Sequence, residues 1–248
     1  KINLRDKKIC PIIKFHKIRP LFLGIFFFYI CSIIYLIFNR NKFDVIHFHG
    51  DWSSLIFVSV LKRITKAKKI IYTNHGFISD SFQHRKLLPY TLRNVDLIFT
   101  TGNKSAELLR VLVPNKKIIV QPSGINSVFF EENSKKHRSE LFTIITVANL
   151  MPVKNLNLLL DIASVLKDFE FKIIGEGTEK LKLQKRIENY GLKNVELCGY
   201  KSPKQIKRHY ESADCFLLTS LAEGTPTSVL EAMASGLPII SSNAGGLN

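Results

Sequence analysis

The chain has 248 residues, of which 46% are hydrophobic and 23% are charged. This composition excludes an intrinsically disordered chain, and the length suffices for one large domain or two ordinary ones. The formal net charge of +16 lies entirely in residues 1–139, where 24 Lys and Arg face 8 Asp and Glu, whereas residues 140–248 carry 12 of each kind. The basic half predicts an anionic partner, either nucleic acid, a membrane surface or a phosphorylated substrate, unless a lysine-rich composition is general in the source proteome.

The four cysteines lie far apart in the sequence and form no C-x-x-C pair. This spacing favours neither a zinc site nor a disulfide framework, and it predicts a protein of the reducing cytoplasm.

The segment LFLGIFFFYICSIIYLIF, residues 21–38, contains no charged residue. Its 18 residues are at the lower limit for a transmembrane helix. Cations flank it on both sides, at Lys14, Lys17, Arg19, Arg40 and Lys42. The alternatives are a membrane span, a buried helix and a helix held in a membrane interface by these cations, and we favour a helix that does not span. No small-residue cleavage site follows, which excludes a signal peptide. We expect a cytoplasmic protein, peripheral at the inner face of the membrane.

From residue 44 onward, short apolar runs typical of strands alternate with amphipathic helices. The first set predicts strands at 44–49, 68–73, 95–101 and 116–122, with helices at 52–66 and 103–113. The second set predicts strands at 142–148, 169–175, 195–199, 214–220 and 238–242, with helices at 155–167, 178–190, 203–211 and 226–235. Such alternation predicts parallel sheets covered on both faces. We therefore expect two doubly wound α/β domains, 1–128 and 142–248, joined by the polar linker 129–141.

Ligands of open parallel sheets bind beyond the carboxyl ends of the strands. Several polar or glycine residues follow predicted strands in this way: His47, His49, His75, Gly175, Glu176, Gly177 and Glu223. We expect them to line a cleft between the two domains. His47 and His49, two apart on one strand, point the same way, so a metal site is an alternative interpretation of this pair.

The segment AEGTPTSVLEAMASGLPII, residues 222–240, carries two glutamates separated by the start of a predicted helix. Pro226 suits the first helical position, with Thr225 as the N-cap. Glu223 and Glu231 are then on the order of 10 Å apart, which is too far for a retaining hydrolase pair. The helix N-terminus between them is an anion site. The layout suits a nucleotide sugar, although both glutamates could also simply face solvent.

The segment EGTPTSVLEAMASGLPIISSNAGG resembles the E-x7-E region of retaining glycosyltransferases of the GT4 family. Other segments resemble the family in the same order: DVIHFH, IIYTNHG, IIVQPSGIN, TVANLMPVKNLNLLLD, IIGEGTEKLKLQ, VELCGY and HYESADCFLLTS. The resemblance covers roughly residues 40–248 and implies the GT-B architecture of two facing Rossmann-like domains. It also implies truncation at both ends, since the family's first glycine-rich strand and loop and its returning C-terminal helices are not found.

The resemblance assigns roles to individual residues. Glu223 would contact the donor sugar, Lys154 the diphosphate and His75 the active-site cleft, which makes these three the candidate catalytic residues. Glu231 would contact the ribose. The other implied substrate-binding residues are Asn149, Gly175, Gly177, Gly199, Tyr200, Lys201, Gly224, Thr225 and Thr227. Asn149 occupies the position of a phosphate-binding arginine in the family, and because an amide cannot replace a bidentate guanidinium, this predicts weaker donor binding.

The implied function is retaining sugar transfer from a nucleotide-sugar donor to a glycan or lipid-linked acceptor, in cell-surface polysaccharide or glycolipid synthesis. No cofactor is expected, because the family is usually metal-independent and the donor is a substrate. A nucleic-acid partner is not expected, since basic and aromatic residues do not interleave. The alternatives are a catalytically impaired binding subunit of the same type and a sugar-nucleotide epimerase on the same fold.

Overall fold

A computed structural model describes residues 21–39, 43–50, 55–75, 82–131 and 140–244, which form two parallel sheets with helices against them. The first sheet has the order β1-β2-β3-β4 and is formed by Val45–His49 (β1), Lys69–Asn74 (β2), Leu97–Thr100 (β3) and Lys117–Val120 (β4). Its helices are Leu21–Asn39 (α1), Val58–Thr65 (α2), Phe82–Leu92 (α3) and Asn103–Leu112 (α4).

The second sheet has five parallel strands in the order β7-β6-β5-β8-β9. These strands are Thr143–Val147 (β5), Glu170–Ile174 (β6), Val195–Gly199 (β7), Cys215–Leu218 (β8) and Ile239–Ser241 (β9). The helices are Leu156–Val165 (α5), Lys180–Asn189 (α6), Pro203–Glu211 (α7) and Thr227–Ala234 (α8). The strand order reverses between β5 and β8, and such a switch point leaves a crevice at the carboxyl edge of the sheet. The predicted α/β architecture is confirmed.

The second sheet buries a separate apolar core on each face. Successive strand residues point to opposite faces, so Ile144 packs with the α5 side chains while the next residue, Ile145, packs with Tyr210 of α7 and Val229 of α8. The two cores hold β5 and β8 from both sides. The loops that follow these two strands are therefore fixed in position.

The start of the segment predicted as a linker belongs to the second core. A short 3-10 turn, Ser127–Phe130, places Phe129 at 1% exposure with its ring centroid 6.0 Å from that of Tyr210. Lys207 Nζ donates to the carbonyl of Glu131 at 2.6 Å and fastens the chain to α7. The prediction of a linker from residue 129 is corrected here, because the polar segment begins with a buried phenylalanine. The remainder, 132–139, lies outside the described residues.

Helix α3 was not predicted from the sequence. It contains an internal proline, Pro89, and its buried side chains Leu88 and Leu92 are four residues apart, whereas Leu87 and Tyr90 beside them are exposed. A proline normally argues against a helix interior because it removes a backbone donor. Burial against the first sheet stabilises the helix in spite of that signal.

Among the described side chains of helix α1, those on one side pack on the first domain and those on another are exposed. The Tyr29 ring is buried and stacks on Phe57 with centroids 5.1 Å apart, while Ile34, Ile37 and Phe38 are exposed. Of the helices in the described part of the chain, none has the length and apolar character needed to cross a membrane. The flanking cations Lys14, Lys17, Arg19, Arg40 and Lys42 lie outside the described residues.

Candidate functional site

A pocket of about 330 Å³ lies at the carboxyl edge of the second sheet, at the switch point between β5 and β8. The loops after β5, β6, β7 and β8 and the start of α8 form its walls. Ten of the sequence-predicted residues line it: Asn149, Lys154, Gly175, Glu176, Tyr200, Lys201, Glu223, Thr225, Thr227 and Glu231. The predicted residues His75, Gly177, Gly199 and Gly224 are not on its surface.

Lys154 and Glu223 form an ion pair inside this pocket. Lys154 Nζ lies 2.5 Å from Glu223 Oε1, and the two side chains are 20% and 10% exposed. The Ser220 hydroxyl donates to the same carboxylate oxygen at 2.6 Å. Sequence reasoning gave Lys154 and Glu223 separate roles and missed Ser220, whose signal was a hydroxyl two residues after β8 and three residues before the glutamate.

Backbone contacts hold the two loops that carry this ion pair. The Leu221 N–H donates to the Val153 carbonyl at 2.8 Å, and the Thr219 hydroxyl donates to the Lys154 carbonyl at 3.0 Å. Lys154 ends a 3-10 turn, Pro152–Lys154, that leads from β5 into α5. The ammonium and the carboxylate are thus pre-positioned side by side at the pocket wall.

Glu231 occupies the second turn of α8, between the buried side chains Val229 and Ala232. Burial raises the pKa of its carboxyl to about 6, because desolvation disfavours the charged form. Burial, together with the nearby Glu231 carboxylate, also raises the pKa of Tyr210. Among the described residues no ion pair involves Glu231.

The start of α8 differs from its prediction. Pro226 is the N-cap residue and α8 begins at Thr227, whereas Thr225 was expected to cap the helix. The Thr225 hydroxyl instead donates to the carbonyl of Thr101 in the first domain. Thr227 and Ser228, in the first turn, still face the pocket, where unpaired N–H groups of a helix start favour an anion.

Glycines let the pocket loops approach closely. Gly175 has φ +142°, and a side chain there would collide with the carbonyl of Ala148. Its N–H donates to the Gly199 carbonyl at 2.9 Å. Gly177 lies equally tightly against the backbone of Leu150. Gly177 and Gly199 therefore shape the loops behind the pocket surface.

His75 lies at the facing edge of the first sheet. A methyl group placed on Gly224 would lie 3.0 Å from the His75 carbonyl oxygen and 2.8 Å from the Thr101 hydroxyl. The Gly224 carbonyl lies similarly close to Gly102. The two domains thus touch, backbone against backbone, beside Glu223.

The imidazoles of the first domain contact one another at this edge. His49 Nδ1 and His75 Nε2 are 2.9 Å apart, and His47 Nε2 is 2.7 Å from the Thr73 hydroxyl. Within the described ranges, no three His, Cys, Asp or Glu side chains are arranged to hold a metal ion. In this structure His47 is hydrogen-bonded to Thr73 and His49 is hydrogen-bonded to His75.

Two family models match the chain, Glycosyltransferase Family 4 over residues 6–129 and Glycosyl transferases group 1 over residues 128–248. Among curated proteins, the gpi3 subunit of phosphatidylinositol N-acetylglucosaminyltransferase from Schizosaccharomyces pombe is 27% identical over 84% of this chain and 48% of its own length. The amylovoran biosynthesis glycosyltransferase AmsK of Erwinia amylovora is 32% identical over 66% of this chain and 44% of its own. The chain spans about half the length of the curated relatives it matches.

Solved structures share the architecture. Anabaena Alr3699/HepE in complex with UDP and glucose matches with a TM-score of 0.71 and 17% identity, over 86% of this chain and 63% of its own. S. aureus TarM matches with a TM-score of 0.69 and 20% identity, over 86% of this chain and 44% of its own. These likenesses confirm the predicted GT-B fold.

Proposed function

Because the chain belongs to glycosyltransferase family 4, we propose that it transfers a sugar from a nucleotide-sugar donor to a glycan or lipid-linked acceptor with retention of configuration. One observation carries the proposal: a single pocket holds Lys154, Glu223 and Glu231 around the start of α8. The names of relatives support it, since one is a glycosyltransferase of amylovoran biosynthesis and another belongs to a phosphatidylinositol N-acetylglucosaminyltransferase.

The donor would occupy the pocket along its length. The diphosphate would contact Lys154 Nζ and the N–H groups of Thr227 and Ser228, because a cation and a helix start both stabilise negative charge. The ribose hydroxyls would donate to the Glu231 carboxylate, which replaces the solvation lost on burial. The sugar hydroxyls would donate to Glu223 and so replace the ammonium that Glu223 contacts in the free protein.

The transfer step follows from where charge develops. The acceptor hydroxyl attacks the anomeric carbon on the face from which the diphosphate leaves, the bond from that carbon to the phosphate oxygen breaks, and the hydroxyl proton passes to the departing phosphate. Lys154 and the first turn of α8 then stabilise the growing negative charge in a pre-organised site. No cofactor or metal ion takes part in this proposal.

The first domain would bind the acceptor at an anionic membrane surface. The exposed apolar side of α1, with Ile34, Ile37 and Phe38, belongs to the basic half of the chain. Apolar insertion combined with cations gives reversible attachment to anionic lipids. This arrangement suits a peripheral enzyme of cell-surface polysaccharide or glycolipid synthesis on the inner face of the membrane.

The test is product analysis of the full-length protein with a panel of UDP-, GDP-, ADP- and CDP-sugars and lipid-linked or oligosaccharide acceptors. We expect one donor to give a product whose anomeric configuration, read by NMR, is that of the donor. Lys154→Met should abolish transfer, and Lys182→Met, which removes an exposed lysine paired with Glu179, should not. An inverted product contradicts the proposed mechanism, and nucleotide binding without transfer favours the impaired binding subunit.

A further inference from the structure

Three imidazoles form a contiguous group at the carboxyl edge of the first sheet. His47 and His49, on β1, have ring centroids 4.0 Å apart, and His49 stacks on His75 with centroids 5.2 Å apart and an interplanar angle of 18°. His75 follows β2, which pairs with β1 in parallel register. The pairing of these strands thus brings the three rings together.

The hydrogen bonds of this group show which ring nitrogens are already engaged. His75 Nε2 is hydrogen-bonded to His49 Nδ1, and His47 Nε2 is hydrogen-bonded to the Thr73 hydroxyl. A neutral imidazole has one donor and one acceptor nitrogen, so in the His49–His75 bond one ring donates and the other accepts. The nitrogen that His75 has left for a ligand is Nδ1.

The position of His75 links this group to the donor pocket. The His75 carbonyl lies against Gly224, directly after Glu223 in the chain. The backbone of His75 is therefore at the junction of the two domains, and its ring stacks on that of His49.

We propose that His49 is a positioning residue for His75: its Nδ1 fixes His75 Nε2, so that the His75 ring presents Nδ1 to the substrates at the domain junction. The inference rests on the proposed transferase function. His49 does not touch the substrate, and it acts by restricting the rotation of the His75 ring. Such restriction matters because a displacement of about 1 Å in a reacting group can reduce the rate on the order of a hundredfold.

Two imidazoles of this group are harder to protonate than a free histidine side chain. Burial and the neighbouring His49 lower the pKa of His75, and burial with both neighbours lowers the pKa of His47. Thr73 on β2 and Phe99 on β3, which also contact His47, carry no charge. The bond needs one unprotonated nitrogen, so it is lost only when both bonded nitrogens carry a proton.

Two variants of His49 separate positioning from charge. His49→Asn keeps a hydrogen-bonding group near the position of Nδ1, whereas His49→Leu keeps bulk and removes the bond. Both variants remove the His49 charge. His47→Gln, on the same strand, serves as the matched control because it leaves the His49–His75 bond in place.

The measurements are kcat and KM across pH in the full-length protein, and ¹⁵N NMR of the His75 ring. We expect His49→Leu to lower kcat on the order of ten- to a hundredfold with little change in the donor KM, and His49→Asn to restore most of it. In both variants the acid limb of the kcat–pH profile should move to higher pH, because the substitution removes the charge that lowers the pKa of His75. The NMR should show a His75 Nε2 hydrogen bond in the wild type, the His47→Gln and the His49→Asn proteins only.

Equal kcat in the His49→Leu and His49→Asn proteins would overturn the positioning role. An unchanged His75 Nε2 signal in His49→Leu would overturn the hydrogen bond itself, and this readout needs no activity. If the wild type binds nucleotide and transfers nothing, the proposed function fails, and the NMR result still decides whether His49 holds His75.

Discussion

The Glu223 carboxylate accepts hydrogen bonds from both Lys154 and Ser220. We predict that Glu223→Gln lowers transfer about a hundredfold or more, because the amide cannot offer the charge that accepts sugar hydroxyls in the transition state. The unfolding free energy should fall by only about 1 kcal/mol, since the amide oxygen still accepts from both groups. Steady-state kinetics and thermal denaturation check the two effects separately.

The matched control is Glu188→Gln, which makes the same change in an exposed carboxylate that accepts from Gln184. It should leave both transfer and stability near wild type, because exposed pairs contribute little. A Glu223→Gln enzyme that transfers sugar at the normal rate but unfolds at a lower temperature would assign Glu223 a structural role only.

We predict that the raised pKa of Glu231, about 6, makes nucleotide binding dependent on pH. Only the ionised carboxylate accepts from both ribose hydroxyls, so affinity should fall about tenfold between pH 7 and pH 5. The folded state should also lose stability as the pH rises from 4.5 through about 6, because burial penalises the charge that forms there.

Glu231→Gln should abolish both pH dependences, and the variant should unfold at a higher urea concentration than the wild type at pH 7. Calorimetric titration with the donor nucleotide and urea denaturation at several pH values are the measurements. A Glu231→Gln protein whose binding keeps the wild-type pH profile would show that another group titrates.

Asn149 lines the same pocket and is exposed. We predict that Asn149→Arg tightens nucleotide-sugar binding by roughly 1–3 kcal/mol, the usual range for hydrogen bonds to charged groups. Asn189→Arg, on the exposed end of α6, adds the same charge away from the pocket lining and should not. Unchanged affinity of Asn149→Arg in calorimetry would mean that the diphosphate lies elsewhere.

At the scale of single residues, the sequence predicted which residues lie near one another but not which atoms form hydrogen bonds. The spacing of Glu223 and Glu231 around a helix start and the place of Lys154 after β5 followed from strand-end rules. The Lys154–Glu223 pair joins residues 69 positions apart, so no local pattern reports it. The Thr225 capping prediction was wrong because the facing domain supplies a carbonyl that accepts from its hydroxyl.

Among the elements, the contact between the first-domain loops and Gly224 controls how closely the domains meet. Gly224→Ala would place a methyl group 2.8 Å from Thr101 Oγ1 and 3.0 Å from the His75 carbonyl. Relieving such crowding typically costs about 1–3 kcal/mol, and here domain separation relieves it. We predict roughly tenfold slower transfer with unchanged nucleotide affinity, measured by kinetics and calorimetry.

Gly124→Ala is the control, because a methyl group there meets nothing within 4 Å. It should transfer at the wild-type rate. Loss of nucleotide binding in Gly224→Ala would instead place the damage in the pocket loop itself.

In the described part of the chain, all nine strands and seven of the eight helices were expected near their observed positions. Their apolar runs and helical periodicity are local signals that the tertiary structure respects. Helix α3 was missed because Pro89 and a weakly amphipathic sequence hide it. Phe129 was placed in a linker because its neighbours are charged, and only the long-range contact with Tyr210 reveals its burial.

For the molecule as a whole, the charge of the first half and the exposed side of α1 predict membrane binding. We expect binding to anionic vesicles and little to neutral ones, weakened as salt reduces the Debye length below about 8–10 Å. Ile34→Ser with Phe38→Ser should reduce it, whereas Val111→Ser, also exposed in this domain, should not. Changing the five flanking cations to Gln should abolish it, measured by vesicle sedimentation with nucleotide binding as a control.

Binding to neutral vesicles that survives high salt and alkaline carbonate would contradict peripheral attachment. It would indicate that the apolar segment inserts fully and that the cations are incidental.

The ion pair at the pocket wall also affects how well small anions bind to the free protein. A lone chloride must compete with Glu223 for the Lys154 ammonium, 2.5 Å away, and has no hydrogen to donate to the carboxylate it displaces. A nucleotide sugar brings both halves of the exchange, since its diphosphate takes the ammonium and its hydroxyls take the carboxylate. The carboxylate therefore acts as an internal counterion of Lys154, and we predict that chloride competes poorly with the nucleotide sugar proposed as the donor.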